Sequence, residues 1–222
     1  PLTNTIPKCL VPIHGQPLLS IWLERLTQAG IGPFLVNTHY LREQVQEFVA
    51  TSPYRDQITL VHEPTLLGTA GTLMANLDFF QGEDGLLIHA DNYCLADLRA
   101  FVAAHQQRPP ECLVTVMAFR TSTPSTCGIL ELDDRGVVVG FHEKVANPPG
   151  NLASGAIYLL SSQFLQFAQK ELAGVTDLST EVIPGLMGRL YACEIKEPFI
   201  DIGTPAAYRQ ANEELPYAFV NG

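Results

Sequence analysis

The sequence predicts an α/β protein: a doubly wound, mainly parallel sheet with a mixed β second half, forming a single domain over residues 1–222. Up to Arg120, amphipathic helices alternate with short apolar strands. Those strands lack the alternation of a half-exposed sheet, as a parallel sheet covered by helices on both faces requires. Beyond Arg120 the texture changes to short strands separated by turn residues.

The elements run in order along the chain. Residues 1–17 hold Pro1, Pro7, Pro12 and Pro17, each fixing φ and lacking an N–H, so no regular element is expected there. "PLLSIWLERLTQAG" spaces Leu18, Leu19, Trp22, Leu23 and Leu26 at helical intervals and stops at Gly30. "PFLVN" reads as a strand, "LREQVQEFVA" as a helix with Leu41, Val45, Phe48 and Val49 on one face, and "QITLVHE" as the next strand. The pattern repeats through "TAGTLMANLDFF" (helix), "GLLIHAD" (strand), "LADLRAFVAAHQQ" (helix) and "CLVTVMAFR" (strand). "CGILELDD" and "RGVVVGFHEK" form a hairpin turned at "DDRG", and "ASGAIYLLS" is a further strand. Helical "SQFLQFAQKEL", strand-like "RLYACEIK" and helical "PAAYRQANEEL" complete the chain.

Composition narrows the function. Hydrophobic residues at 46% and charged residues at 16% suit a globular domain. The 13 basic and 23 acidic residues give a formal charge of −10, which argues against nucleic acid or an anionic membrane as partner. An anionic ligand would need local lysines, backbone N–H groups or a divalent cation. The five cysteines are scattered, with no C-x-x-C pair, so a reducing cytoplasm is expected. No apolar run approaches the roughly 18 residues of a membrane span. The six histidines lack metal-ligand spacing and read as surface or satisfied core residues.

Five stretches could carry chemistry. In "LLIHADNYC" an apolar strand runs into Asp91, either a turn-forming residue or a carboxylate for a hard cation such as Mg²⁺. In "PFIDIGTPAAY" Thr204 as N-cap and Pro205 at the first helical position explain the helix start but not Asp201, set among apolar residues. "HEPTLLGTAGTL" places Gly68, Thr69 and Gly71 before a helix, where a backbone can approach a ligand or simply begin the helix. Glu143 and Lys144 end the strand of "GFHEK", as a solvated strand end or as groups facing a ligand. Lys8 is a lone cation in a proline-bounded loop suited to a phosphate.

In this order, "PLTNTIPKCLVPIHGQPLL", "LLGTAGTL", "HAD", "FHEK", "ASGAIYLL" and "DIGTPAAY" resemble the sugar-1-phosphate nucleotidylyltransferases, the mannose-1-phosphate guanylyltransferase-like family, over nearly the whole chain. The resemblance implies a Rossmann-like sheet of the nucleotide-diphospho-sugar transferase type. It also implies transfer of NMP from an NTP to a sugar 1-phosphate, with pyrophosphate released. Asp91 and Asp201 would hold Mg²⁺, and Lys8 would steady the phosphates. Lys144 would pair with the sugar 1-phosphate, Glu143 would accept from sugar hydroxyls, and Ser154 and Gly155 would line the sugar. Gly68, Thr69 and Gly71 would frame the base beside Glu63, whose carboxylate suits the N1–H and N2–H₂ donors of guanine. GTP with a mannose- or heptose-type 1-phosphate is the expected pair, serving cell-envelope polysaccharide. The first segment resembles the stretch just C-terminal to the family's G-x-G-T-R loop, so a strand and that loop are expected to be absent from the N-terminus.

Three features depart from the pattern: E-K-V replaces E-K-P, His89 and Ala90 precede Asp91 in place of Asn-Gly, and Ser154 replaces a common Asn. Alternatives stay open: a uridylyltransferase acting on N-acetylmuramic acid or glucose 1-phosphate, or a catalytically silent nucleotide-sugar sensor. A dinucleotide-dependent oxidoreductase loses support, since no G-x-G-x-x-G follows a strand. A homo-oligomer is left open.

Overall fold

A computed structural model describes residues 2–217. In chain order the strands and helices are β1 (Pro12–Ile13), β2 (Gln16–Pro17), α1 (Leu18–Gln28), β3 (Phe34–Thr38), α2 (Arg42–Thr51), β4 (Ile58–His62), α3 (Gly68–Ala75), β5 (Gly85–Ile88) and β6 (Asn92–Cys94). Next come α4 (Leu98–Gln106), β7 (Val114–Arg120), β8 (Gly128–Leu132), β9 (Val138–Glu143), β10 (Leu152–Leu160), α5 (Ser162–Glu171), β11 (Leu190–Glu194), β12 (Phe199–Asp201) and α6 (Pro205–Glu213).

These elements gather into two compact units, each built from discontinuous segments rather than from the two halves of the chain. One takes the chain to Leu66, Ala90–Leu98 and everything from Glu197; the other takes Leu67–His89 and Arg99–Lys196. Single-domain behaviour over 1–222 is therefore our proposal and does not rest on these contacts.

The first unit carries three two-stranded ladders: β1 with β2 and β6 with β12 antiparallel, and β3 with β4 parallel. The apolar stripe of α1 supplies its core, with Leu18, Ile21, Trp22 and Leu23 all at most 3% exposed. Burial of that stripe, at about 1.5–3 kcal/mol per side chain, is what holds the helix. The Trp22 Nε1–H donates to the Asn92 carbonyl at 2.9 Å, fixing the start of β6 over α1.

The second unit is a six-stranded sheet in the order β11-β7-β10-β8-β9, with β5 also paired to β10. Val114, Val116, Leu130, Tyr158 and Leu190 point to one face and meet Leu73 of α3, Phe164, Leu165 and Ala168 of α5, and the turns carrying Leu178 and Ile183.

The α/β class and most elements match the sequence reading, but four details differ. The N-terminal segment, of which Pro1 lies outside the described residues, contains short turns at Leu2–Asn4 and Lys8–Leu10 and a minimal hairpin in which Pro12 faces Pro17. A two-residue ladder tolerates proline because neither residue sits inside a longer strand. Only β3·β4 and β7·β11 pair in parallel among the described strands; β10 runs antiparallel to β5, β7 and β8. Missing alternation reports that both faces of a strand are covered, and β10 is covered on both, whatever direction its neighbours take. The helix expected through "TAGTLMANLDFF" breaks at Asn76, whose side chain donates to the Thr72 carbonyl at 2.8 Å. Finally, the wide and 3₁₀ turns over Leu178–Leu186 had no helical periodicity to announce them.

Candidate functional site

Within the first unit, backbone pairing brings the main chains of Asp91 and Asp201 together, and Lys8 forms an ion pair with Asp91. Asn92 faces Asp201 across the β6–β12 ladder, and the Ile202 N–H donates to the Asp91 carbonyl at 3.2 Å, continuing that ladder by one step. Strand spacing and rise then put the Cα atoms of Asp91 and Asp201 within roughly 6 Å of each other. Residues 110 positions apart in sequence thus end the same two strands.

Lys8 Nζ lies 3.3 Å from Asp91 Oδ2, with Asp91 30% exposed and Lys8 52% exposed. Lys8 is held by its own turn, in which Leu10 N–H donates to the Pro7 carbonyl and Val11 N–H to the Lys8 carbonyl. Asp201 is exposed; its Oδ1 accepts from the Gly203 N–H at 2.7 Å, an Asx turn. Thr204 then caps α6 by accepting from the Ala207 N–H at 3.1 Å, with Pro205 in the first turn, as its sequence suggests. Cys9, beside Lys8, has its thiol pushed up to about 11 by burial, with the Asp91 charge adding to the shift. It is a packing residue rather than a nucleophile.

Two hard carboxylates at adjacent strand ends, with an ammonium alongside, fit a divalent cation such as Mg²⁺, which needs only one or two protein carboxylates when phosphates complete its shell. Among the described residues no group of three or more His, Cys, Asp or Glu side chains forms an all-protein metal cage.

Glu63, also in this unit, comes directly after β4 and is 3% exposed. Its N–H donates to the Thr38 carbonyl at 2.8 Å, and its carbonyl pairs with His39 Nδ1 at 2.7 Å. That burial was not foreseen for a residue expected beside a base.

In the second unit Gly68 is required by close backbone approach. Gly68 has φ +79°, and a Cβ there would stand 2.3 Å from the Thr176 carbonyl oxygen. The same carbonyl accepts from Ala70 N–H at 3.0 Å and Gly71 N–H at 3.4 Å, while Thr69 Oγ1 accepts from Leu178 N–H at 2.8 Å. The start of α3 therefore spends these groups on holding the 176–178 segment.

Glu143 and Lys144 end β9. Lys144 takes φ +51° and is 67% exposed, with Nζ 3.7 Å from Glu143 Oε1. Gly128, opposite Glu143 in the ladder, is where a Cβ would collide with the Glu143 carboxylate at 2.6 Å. Ser154 opens an irregularity in β10 that runs to Tyr158, with Ala156 at φ +52°. Ser154 Oγ lies 3.3 Å from both Tyr158 Oη and the Ala156 nitrogen, and Gly155 is buried within the irregularity.

Sequence reasoning missed Thr176, Asp177 and Ser179 beside these residues, and it missed Tyr158. The Asp177 carboxylate caps the turn by accepting from the Thr180 N–H, which chiefly holds it below its usual range, with the nearby His89 a smaller contributor. The signal was present as "TDLSTE", a capping pattern without an apolar run to make it conspicuous. The expectation that every histidine is a surface or satisfied core residue fails at His14 and His89, whose Nε2 atoms are buried without a hydrogen-bond partner, whereas His105 Nε2 has the Asp84 carboxylate 3.6 Å away.

No described helix is long and apolar enough to cross a membrane. The chain is 28% identical over 212 residues to the mannose-1-phosphate guanylyltransferase catalytic subunit beta of Danio rerio, covering 92% of this chain and 58% of that protein. It is 28% identical over 208 residues to the D-glycero-alpha-D-manno-heptose 1-phosphate guanylyltransferase of Campylobacter jejuni, covering 93% and 90%. The chain spans less than two thirds of the length of the mannose-1-phosphate guanylyltransferases it matches. The fold matches the crystal structure of HddC from Yersinia pseudotuberculosis with a TM-score of 0.79 at 22% identity over 94% of this chain and 89% of that one. HddC complexed with GMP-PN gives 0.76 at 21%, over the same shares. The family model described as nucleotidyl transferase matches residues 1–217, and the chain belongs to that family.

Proposed function

We propose that the protein transfers NMP from an NTP to a sugar 1-phosphate, with GTP and a mannose- or heptose-type 1-phosphate as the favoured pair, and Mg²⁺ as cofactor. The observation that carries this reading is the pairing of β6 with β12, which sets Asp91 and Asp201 at adjacent strand ends with Lys8 at 3.3 Å from Asp91. The mannose and heptose 1-phosphate guanylyltransferases among its relatives support the choice of base and sugar.

In this reading a sugar phosphate oxygen attacks the α-phosphorus in line, the bond to the bridging oxygen breaks, and pyrophosphate leaves. No protein nucleophile is needed, so positioning and charge neutralisation supply the acceleration. A bound Mg²⁺ would neutralise phosphate charge and polarise the α-phosphoryl group. Asp91 and Asp201 would hold it. Lys8 places a positive charge beside Asp91, where a phosphate can take over part of that ion pair. Lys144 would pair with the sugar 1-phosphate, and Glu143 and Ser154 would take sugar hydroxyls alongside Gly155. Gly68, Thr69 and Gly71 would shape the base site, with Glu63 accepting from guanine N1–H and N2–H₂. The reaction would take place in the cytoplasm and feed cell-envelope polysaccharide.

Pyrophosphate release by the full chain tests this, crossing GTP, UTP, CTP and ATP against mannose, heptose, glucose and N-acetylmuramic acid 1-phosphates with Mg²⁺. Release with GTP and the mannose or heptose compound is expected. Silence across the whole panel would sink the transferase reading, and release with UTP alone would overturn the choice of base.

A further inference from the structure

In the second unit one buried hydroxyl organises a group of polar side chains. Tyr158 is 2% exposed, and its Oη lies 3.3 Å from Ser154 Oγ and hydrogen-bonds to Ser179 as well. Ser179 sits in the turn over Leu178–Val182, which Asp177 caps by accepting from the Thr180 N–H and hydroxyl at 2.7 and 2.8 Å. The charges of Glu143 and Asp177 both bear on Tyr158, and His89 faces Asp177 with its Nε2 buried and unpaired. Ser154, Ser179, Glu143, Asp177 and His89 are all partly exposed, whereas the Tyr158 ring is core.

A phenol offers one proton and accepts others, so a phenol shared by two serines fixes which way each serine can donate. Serine hydroxyls set beside two carboxylates make a surface that takes hydroxyl groups, since carboxylates accept from them, and repels a ligand carboxylate.

We propose that Tyr158 is a positioning residue that presents the Ser154 and Ser179 hydroxyls, beside Glu143 and Asp177, to the hydroxyls of a sugar that carries no carboxylate. The proposal rests on the nucleotidyltransferase reading and adds to it the class of sugar accepted and the residue that sets it.

The test pairs direct binding with turnover, using the full chain and Tyr158→Phe, Ser154→Ala, their double variant and Asp177→Asn. Calorimetry measures mannose 1-phosphate against glucuronic acid 1-phosphate; pyrophosphate release with GTP is followed in parallel. Wild type should bind mannose 1-phosphate at least about tenfold more tightly than the glucuronic compound. Tyr158→Phe should lose about tenfold in affinity for mannose 1-phosphate and raise its KM to match, with KM for GTP unchanged, the worth of one lost hydrogen bond. The double variant should lose no more than the larger single loss, and Asp177→Asn should narrow the discrimination. Equal wild-type affinity for the two sugars, or no binding of either, overturns the proposal. So does a Tyr158→Phe protein with a lowered Tm but unchanged sugar affinity, which marks a packing role alone. Sugar binding as expected without any pyrophosphate release upholds this proposal while sinking the reaction.

Discussion

The ammonium of Lys8 lies 3.3 Å from the Asp91 carboxylate although both groups reach solvent. An ion pair this exposed contributes about 0–1 kcal/mol to stability, so holding the fold does not account for it. In the proposed reaction it would serve as a cation stationed beside a carboxylate that would otherwise repel a triphosphate. Lys8→Ala should change the unfolding free energy by less than about 1 kcal/mol while weakening nucleotide affinity roughly tenfold or more. Affinity by calorimetry and stability by denaturation decide together; unchanged nucleotide binding removes Lys8 from the site.

Asp91→Asn and Asp201→Asn should each reduce Mg²⁺-dependent turnover by about a hundredfold or more, since each removes one hard ligand. Asp201 is exposed and its Asx turn uses Oδ1, which an amide oxygen can replace, so the circular dichroism spectrum should not change. Near wild-type rates in both variants would place the metal elsewhere.

How far the sequence was readable divides along physical lines. The stripe of α1, the cap of α6 and the Asp133–Gly136 turn are local, and each was legible because its determinants lie within a few residues. Asp91 and Asp201 were legible as strand-end carboxylates, but that they meet depends on a ladder between segments far apart in the chain. Strand direction was not legible, because apolar content records coverage of both faces. Tyr158 was missed because by burial it is a core aromatic; only the neighbours of its hydroxyl distinguish it. In "ASGAIY" the left-handed backbone falls on Ala156 and not on Gly155.

The left-handed backbone at Ala156 makes a prediction of its own. Alanine in the left-handed region costs about 1–2 kcal/mol, whereas glycine adopts it freely but loses about 0.5–1 kcal/mol more entropy on folding. Ala156→Gly should therefore stabilise the protein by about 0.5 kcal/mol, read as a higher urea midpoint at constant slope. A loss of stability beyond about 1 kcal/mol would show that the Ala156 methyl contributes packing that outweighs its backbone strain.

Gly68 presents the opposite case. Its φ is +79°, and the atom a Cβ would meet at 2.3 Å is the Thr176 carbonyl oxygen, a backbone group already shared by Ala70 and Gly71. It cannot swing aside as a side chain can. Gly68→Ala should destabilise the second unit by about 2–4 kcal/mol and open the 176–182 segment to protease. Wild-type protease resistance would show that the loop can move away at little cost.

His105 ties stability to pH. It is 2% exposed, its Nδ1 lies 2.7 Å from Thr115 Oγ1, and burial lowers its pKa from the usual 6.5 to about 4, reinforced by Arg108 and opposed by Asp84 3.6 Å from Nε2. The folded protein therefore favours the neutral ring. Between pH 6.5 and 4 the unfolded chain binds a proton there that the folded chain does not, so stability falls as pH falls through this window and is fully present above it. A depression from 6.5 to about 4 corresponds to about 3 kcal/mol once both states are titrated. Urea midpoints at about pH 7 and about pH 4.5 should show most of that loss in wild type and a shallower slope in His105→Gln, which keeps a partner for Thr115 but cannot titrate. Parallel pH profiles for the two proteins would assign the acid sensitivity to other groups.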